Sequence, residues 1–403
     1  MDCEYLKIMR KLIIDKFGPV EHAEIEVRKY NLFIGQQSIG KSTIAKLITI
    51  LTDHINLAAL LRGGHDAWMG LLDEFNLSLF AADQNYHIDF LMEEGSINSH
   101  ITIDNTELKS SFAIGDEKVN DVDTITKELF KNKPIFHAEE FLKKLQIASN
   151  KSKSKEVLDL IRDSLYVPAE RNIISLVSKL PALMMLSGSI IPKTLLRFIV
   201  EMTKAREFQH EWHIPLMSIS YVFDNDEDYF EMDGLKKKYP LRVASSGIQS
   251  LLPLYIVIDY ARHNAEYSSY VVEEPECNLF PDKQIELLQY LLKTVSGEDM
   301  TLTITTHSPY ILSAMNNYLL AGNTVKEKTS VTEETIREKV GDIPILDTDE
   351  CSVYSLGSEI NNGVYCQSLI DPEIGMINAN TLDGISLSLG DEFDKIDALN
   401  FKS

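Results

Sequence analysis

The stretch Gly35-Gln36-Gln37-Ser38-Ile39-Gly40-Lys41-Ser42-Thr43 has the composition of a loop that holds phosphate. Glycines at both ends let the backbone turn so that successive amides converge on phosphate oxygens. Lys41 supplies a cation for β- and γ-phosphates, and Ser42 offers a hydroxyl to Mg²⁺. A helix opening at Lys41 would aim its positive end at the same anion. A second group, Tyr270-Val-Val-Glu273-Glu274-Pro275, ends a buried strand in two adjacent carboxylates. Side chains alternate along a strand, so the two should do different work. Glu273 would join the Mg²⁺ shell, directly or through water, and Glu274 would polarise an attacking water as general base. A third strand, Leu302 to Thr306, ends at His307, which could bind a γ-phosphate and hold that water in line. Finally, Ala244-Ser245-Ser246-Gly247-Ile248-Gln249-Ser250 stands before an amphipathic helix, where its serines cap and its amides form another anion site.

The elements that must position these residues follow from periodicity. Lys11–Asp15 and Ala23–Val27 read as strands around a turn at Gly18-Pro19, and Asn31–Ile34 as a strand leading into the glycine loop. Ile44, Leu47, Ile48 and Leu51 trace one helical face beyond the loop. From about Asp66 to Asn105 the pattern turns to strands, clearest over His87–Met92 and His100–Asp104. Thr124 to Leu165 reads as helical, with an exposed connection at Asn150–Lys155, and Ile173–Phe208 as a second helical stretch interrupted at Pro181 and near Gly188. Met217–Phe223 and Tyr229–Met232 form a hairpin around Asp224–Asp228. Ile248, Leu251, Leu252 and Tyr255 mark a helix bent at Pro253; Leu288, Leu291, Leu292 and Val295 mark another. Strands alternating with helices predict an α/β fold with a mainly parallel core sheet. The expected organisation is residues 1–110 as the first half of the core with an antiparallel β-subdomain, 111–215 as an inserted helical lobe, 216–320 as the second half, and 321–403 as an extension.

Bulk composition narrows the partners. A 44% apolar content supports a sizeable core. A net charge of −22 means that any nucleic-acid contact must rely on a local basic face, for which Lys236–Lys238 and Lys151–Lys155 are the dense basic runs. Cys3, Cys277, Cys351 and Cys366 lack paired short spacing, which argues for a reducing compartment. No signal peptide opens the chain, and the apolar region Ala182–Val200 is broken by Gly188 and Pro192 and carries Lys193 and Arg197. A cytoplasmic protein without a membrane span is expected.

Taken in this order, the four groups resemble the ABC ATPase superfamily, in its soluble SMC-like branch. Lys41 and Ser42 match its Walker A motif, and Glu273 and Glu274 its Walker B. Ser246, Gly247 and Gln249 match a degenerate signature motif, and His307 the switch histidine. Glu273 stands where aspartate is usual. Phe17-Gly18-Pro19, Pro168-Ala169-Glu170-Arg171, Ser245-Ser246-Gly247 and Glu273-Glu-Pro-Glu276 with Asn278-Leu279-Phe280-Pro281 further resemble OLD-like ATPases of bacterial anti-phage systems of the Septu and PARIS type. The resemblance implies an ABC-type P-loop fold, ATP and Mg²⁺ as ligands, and slow ATP hydrolysis. It also implies a head-to-tail dimer or higher homo-oligomer in which one copy's signature closes on the other's nucleotide. Such a chain would act as a sensor or switch for a separate effector, a nuclease or toxin, since the TOPRIM nuclease often appended in that family is not evident. Its nearest acidic cluster, Asp347-Thr-Asp349-Glu350, reads as a solvated loop. The alternative is a DNA repair or recombination ATPase that binds DNA. Arg171 is open between a structural salt bridge and phosphate sensing.

Overall fold

A computed structural model describes residues 9–121, 125, 164–177 and 191–378, apart from short breaks at 84, 95–96, 115–116, 236, 265–266, 296–299, 329 and 359–360. The lysine-rich connection at 150–155 lies outside the described residues, as does most of the expected helical lobe.

Apolar alternation builds the first hairpin, β1 (Met9–Phe17) and β2 (Val20–Val27), turning at Gly18-Pro19 as its residues predict. β3 (Tyr30–Gly35) delivers the chain to the glycine loop, and α1 (Lys41–Thr52) leaves it. α2 (His54–Glu74) and α3 (Ser78–Asp83) follow, where strands had been expected from Asp66 onward. The helical face is present in Trp68, Leu71, Leu72 and Phe75, all buried, but Gly63, Gly64 and Gly70 interrupt its apolar rhythm. Gly64 leaves helical geometry at φ 52°, which places a kink there. β4 (His87–Glu94), β5 (Ile97–Asp104), β6 (Leu108–Ile114) and β7 (Glu117–Val119) then complete an antiparallel sheet of order β2-β1-β4-β5-β6-β7.

β8 (Ser164–Val167) corrects the helical reading through Leu165: its four residues are buried as the edge strand of the core sheet. A tight turn, Ala169–Ile173, and α4 (Ile174–Val177) carry the chain on, and α5 (Lys193–Phe208) confirms a helix in the second helical stretch. β9 (Glu211–Ile214), β10 (Ile219–Asp224), β11 (Glu227–Met232) and β12 (Lys238–Pro240) form a small antiparallel sheet containing the expected hairpin. Asn225 and Asp226, both with positive φ, make its turn. Arg206 on α5 fastens to this sheet through Asp228, its Nε donating to Oδ1 at 2.9 Å and its Nη2 to Oδ2 at 2.5 Å.

α6 (Ser246–Asn264), β13 (Ser269–Glu273), α7 (Pro281–Thr294), β14 (Thr301–Thr306) and α8 (Pro309–Glu327) alternate as periodicity predicts. After α9 (Glu333–Val340), the segment read as an extension supplies β15 (Cys351–Leu356), which lies inside the core sheet, parallel to β3 from Cys351 opposite Tyr30 to Leu356 opposite Gly35. β16 (Cys366–Ser368) closes the edge antiparallel, giving the order β16-β15-β3-β14-β13-β8. The fold is therefore α/β with a mainly parallel core sheet and an N-terminal antiparallel subdomain.

Alternation along the core strands separates two cores. Tyr270, Val272, Leu302, Ile304 and Val353 pack with α5 to α8 on one face. Val271, Phe33, Tyr354 and Leu356 pack with α1, α2 and the antiparallel sheet on the other. Among the described residues no single helix is long and apolar enough to cross a membrane. Within the acidic cluster, Asp347 caps a short turn at Asp349 N and accepts from Lys326 Nζ at 2.5 Å.

Candidate active site

Parallel strands place their C-terminal ends along one sheet edge, where α/β folds bind ligands. Here β3, β13 and β14 lie within that sheet and end at Gly35, Glu273 and Thr306. A cavity of about 560 Å³ opens there, lined by Gln37, Ser38, Gly40, Lys41, Ser42, Thr43, Glu274 and His307, together with Gly18, Pro19 and Phe80.

The loop holds its shape through unusual backbone. Gly40 caps α1 at φ 99°, and a Cβ there would meet the Tyr365 hydroxyl at 2.7 Å and Val20 at 2.9 Å. Ser38 also takes positive φ, at 62°. Gly40 has no side chain to cap α1, and the first residues of the helix, Lys41, Ser42 and Thr43, line the cavity. Tyr365, far away in sequence, donates its hydroxyl to the Ile39 carbonyl and pins the loop from outside. Lys41 is folded back, donating from Nζ to Gly35 O at 2.9 Å and Gln36 O at 2.7 Å. Burial pushes its ammonium down to about 8, while the nearby carboxylates of Glu274, Glu276 and Glu273 pull the other way.

Lys41 Nζ lies 3.2 Å from His307 Nε2, which in turn lies 2.8 Å from Glu274 Oε1. The three groups read separately from sequence are thus one contact chain. Glu274 reaches it through a left-handed backbone, φ 43°, a costly conformation for a residue with a Cβ. The turn is held by Arg171, which is fully buried and donates five hydrogen bonds to backbone carbonyls. They are Glu273 O at 2.7 Å, Glu274 O at 2.8 Å, Ser250 O at 3.1 Å, Pro168 O at 3.2 Å and Pro275 O at 3.3 Å. Arg171 thus clamps backbone, and both earlier readings, an ion pair and a phosphate sensor, give way to that role.

Glu273 occupies the opposite face of β13, as alternation requires, and is 4% exposed. Burial raises its carboxyl above the usual range, opposed by the Tyr166 hydroxyl, Lys46 and the Ser42 hydroxyl. Among the described residues its Oε1 has no hydrogen-bond partner. A buried, unpaired carboxylate oxygen beside a serine hydroxyl is the donor chemistry that a hard divalent cation takes, and the cation's charge would offset the burial penalty. The residues present therefore fit Mg²⁺.

Glu276, quoted in the sequence only as part of a motif, has a positioning task. Its Oε1 accepts from Thr306 Oγ1 at 2.6 Å and from His307 N at 2.7 Å, which fixes the histidine's backbone. Gln284 extends this support by pairing with Ser308 Oγ at 2.5 Å.

The signature residues lie apart. Ser245 and Ser246 are exposed and absent from the cavity wall, and Gly247 is buried against Asn278 O, which a Cβ would approach to 2.8 Å. Gln249 turns inward, donating to Leu241 O at 3.3 Å and Arg242 O at 3.1 Å, so it braces the turn before α6. Of the loop residues, Gly35, Gln36 and Ile39 shape the cavity through backbone rather than lining it.

A family model described as an AAA ATPase domain matches residues 117–312. No curated protein matches the chain in sequence. Among solved structures, the SMC head domain from Thermotoga maritima is 12% identical at a TM-score of 0.39, covering 76% of this chain and 91% of that one. An Smc head domain with a coiled coil and joint from Pyrococcus yayanosii is 9% identical at 0.45, covering 94% and 100%. The recombination mediator protein RecF is 11% identical at 0.33, covering 90% and 98%. The stretch that the family model matches holds the paired carboxylates, His307 and the serine-glycine helix start.

Proposed function

We propose that the chain is an ATP-dependent dimerising switch. The contact chain Lys41–His307–Glu274 inside one cavity, with the serine-glycine helix start outside it, is the observation that carries this reading. A triphosphate would lie on the loop amides, its terminal phosphate displacing Lys41 from the Gly35 and Gln36 carbonyls and meeting His307. Ser42 and Glu273 would hold Mg²⁺. Bound there, the metal would neutralise charge developing on the β- and γ-phosphate oxygens. Glu274 would take a proton from water, and His307, 2.8 Å away, would orient that carboxylate and the γ-phosphate. The exposed helix start at Ser245 and Ser246, with Gly247 buried behind it, would close on the nucleotide of a second copy, head to tail.

Such closure changes the face offered to other proteins. Together with the resemblance to OLD-like defence ATPases, this supports a sensor or switch that controls a separate nuclease or toxin effector in anti-phage defence. Charge gives DNA binding little support among the described residues. Lys238 lies 3.9 Å from Asp224, and Lys237 sits over the Tyr239 ring at 5.1 Å.

Two variants test the switch. Lys41→Ala should lose ATP binding. Glu274→Gln should keep it while hydrolysis slows by about 10²-fold or more. Light scattering should show an ATP-dependent dimer with Glu274→Gln and none with Lys41→Ala. Normal hydrolysis by Glu274→Gln would overturn the assignment of the base. An effector co-purifying from the native host supports the control role, while salt-sensitive binding to duplex DNA would favour the repair reading.

A further inference from the structure

The Glu274 carboxylate has two oxygens, and the contact with His307 accounts for one of them. Oε1 lies 2.8 Å from His307 Nε2, while Oε2 accepts a hydrogen bond from Cys277 Sγ at 3.4 Å. Cys277 is a free, partly buried cysteine between Glu276 and Asn278. Its backbone belongs to the turn that Glu274 opens: Cys277 N donates to Glu274 O at 3.1 Å, and Asn278 beyond it takes φ 63°. That turn is anchored in turn, since Glu274 N donates to Thr305 O at 2.9 Å and Arg171 grips the Glu273 and Glu274 carbonyls. Local chain geometry thus delivers the thiol to the carboxylate. A thiol helps there only while it keeps its proton, because a thiolate beside a carboxylate would repel it. Burial and the carboxylates of Glu274 and Glu276 push the Cys277 thiol up to about 12, with the Arg171 guanidinium pulling the other way. The group is therefore a proton donor at neutral pH and poorly suited to thiolate chemistry. It does not line the cavity, so any influence on the reaction passes through Glu274.

We propose that Cys277 is a positioning residue for hydrolysis: its S–H holds Glu274 Oε2 while His307 meets Oε1, which fixes the plane of the carboxylate from both sides. This rests on the reading of Glu274 as general base and adds the residue that keeps it aligned. A carboxylate oxygen carries two lone pairs, so a donor on each still leaves acceptors for the proton of the attacking water. Without the thiol, the carboxylate turns more freely and is aligned with that water for less of the time. An S–H is a weak donor, so the effect is modest and confined to the chemical step.

Single-turnover hydrolysis and isothermal titration, both with ATP and Mg²⁺, test this on wild type, Cys277→Ala, Cys277→Ser, Glu274→Gln and the double variant Glu274→Gln/Cys277→Ala. Cys277→Ala should slow hydrolysis by about three- to tenfold, the scale of one hydrogen bond. Its ATP dissociation constant should stay within about twofold of wild type, which also reports that the variant is folded. Cys277→Ser, which restores an O–H donor, should recover the rate to within about twofold. In the Glu274→Gln background, Cys277→Ala should cost nothing more, because a residue that acts through the base has no base left to align. A wild-type rate in Cys277→Ala, an equal loss in the alanine and serine variants, or a loss that multiplies with that of Glu274→Gln would each overturn the role. So would ATP binding that weakens in step with the rate, which marks the thiol as packing for the whole site. Normal hydrolysis by Glu274→Gln would instead overturn the base on which the inference rests.

Discussion

Arg171→Lys is the most informative single change, because it preserves charge and removes only the planar fork. Arg171 satisfies five buried carbonyls spread over the Pro168 turn, α6 and the Glu273–Pro275 turn. A lysine ammonium has three donors at one point, so at least two of those acceptors lose their partner. Each buried polar group left unpaired costs about 1–3 kcal/mol, which gives about 2–6 kcal/mol in total. That loss falls where Glu274 already holds a left-handed conformation whose own cost is about 1–3 kcal/mol. Without the clamp the turn should relax and carry the Glu274 carboxylate away from His307. Since each decade in rate is about 1.4 kcal/mol, a displacement costing about 3 kcal/mol lowers kcat by about 10²-fold. The phosphate loop makes no contact with Arg171 in this network, so the ATP dissociation constant should stay within about threefold. The assay is steady-state hydrolysis normalised to the number of sites that bind nucleotide, with a melting temperature measured alongside. A lower melting temperature with an unchanged kcat per binding site would refute the reasoning, leaving Arg171 a structural residue only.

Two other perturbations probe the site by different physics. With its ammonium pushed down to about 8, Lys41 in the free protein should lose its proton well below the ordinary lysine range. The sign follows: ATP affinity should be full below about pH 8 and fall as pH rises through it, and between pH 8 and 9 binding should take up protons, detected by titration in buffers of different ionisation enthalpy. The same linkage makes protein stability rise over that window, because the unfolded chain keeps the proton longer than the folded one. Affinity that is flat to pH 9.5 would contradict a perturbed Lys41. Tyr365→Phe removes the hydroxyl that holds Ile39 O, and should weaken ATP binding by about three- to tenfold, the scale of one hydrogen bond, with little change in melting temperature. Unaltered affinity would mean that residues beyond 321 do not support the loop.

Much of this molecule is written locally. The glycine spacing from Gly35 to Gly40, the apolar strand before Glu273-Glu274 and the strand ending at His307 all announce themselves within a few residues, because a strand or helix end is a local pattern. Alternation along β13 alone already separated Glu273 from Glu274. Local patterns failed where glycine broke the rhythm of α2, and where β8 was too short to show a period.

Tertiary structure alone decided that Arg171, Glu276, Tyr365 and Phe80 belong to the site, and that β15 lies beside β3 in the core sheet. The reason is physical. Parallel strands are joined by long crossovers, so sheet neighbours lie far apart in the chain. A hydrogen bond to a backbone carbonyl requires nothing of the residue that accepts it, and therefore leaves no partner to read in the sequence.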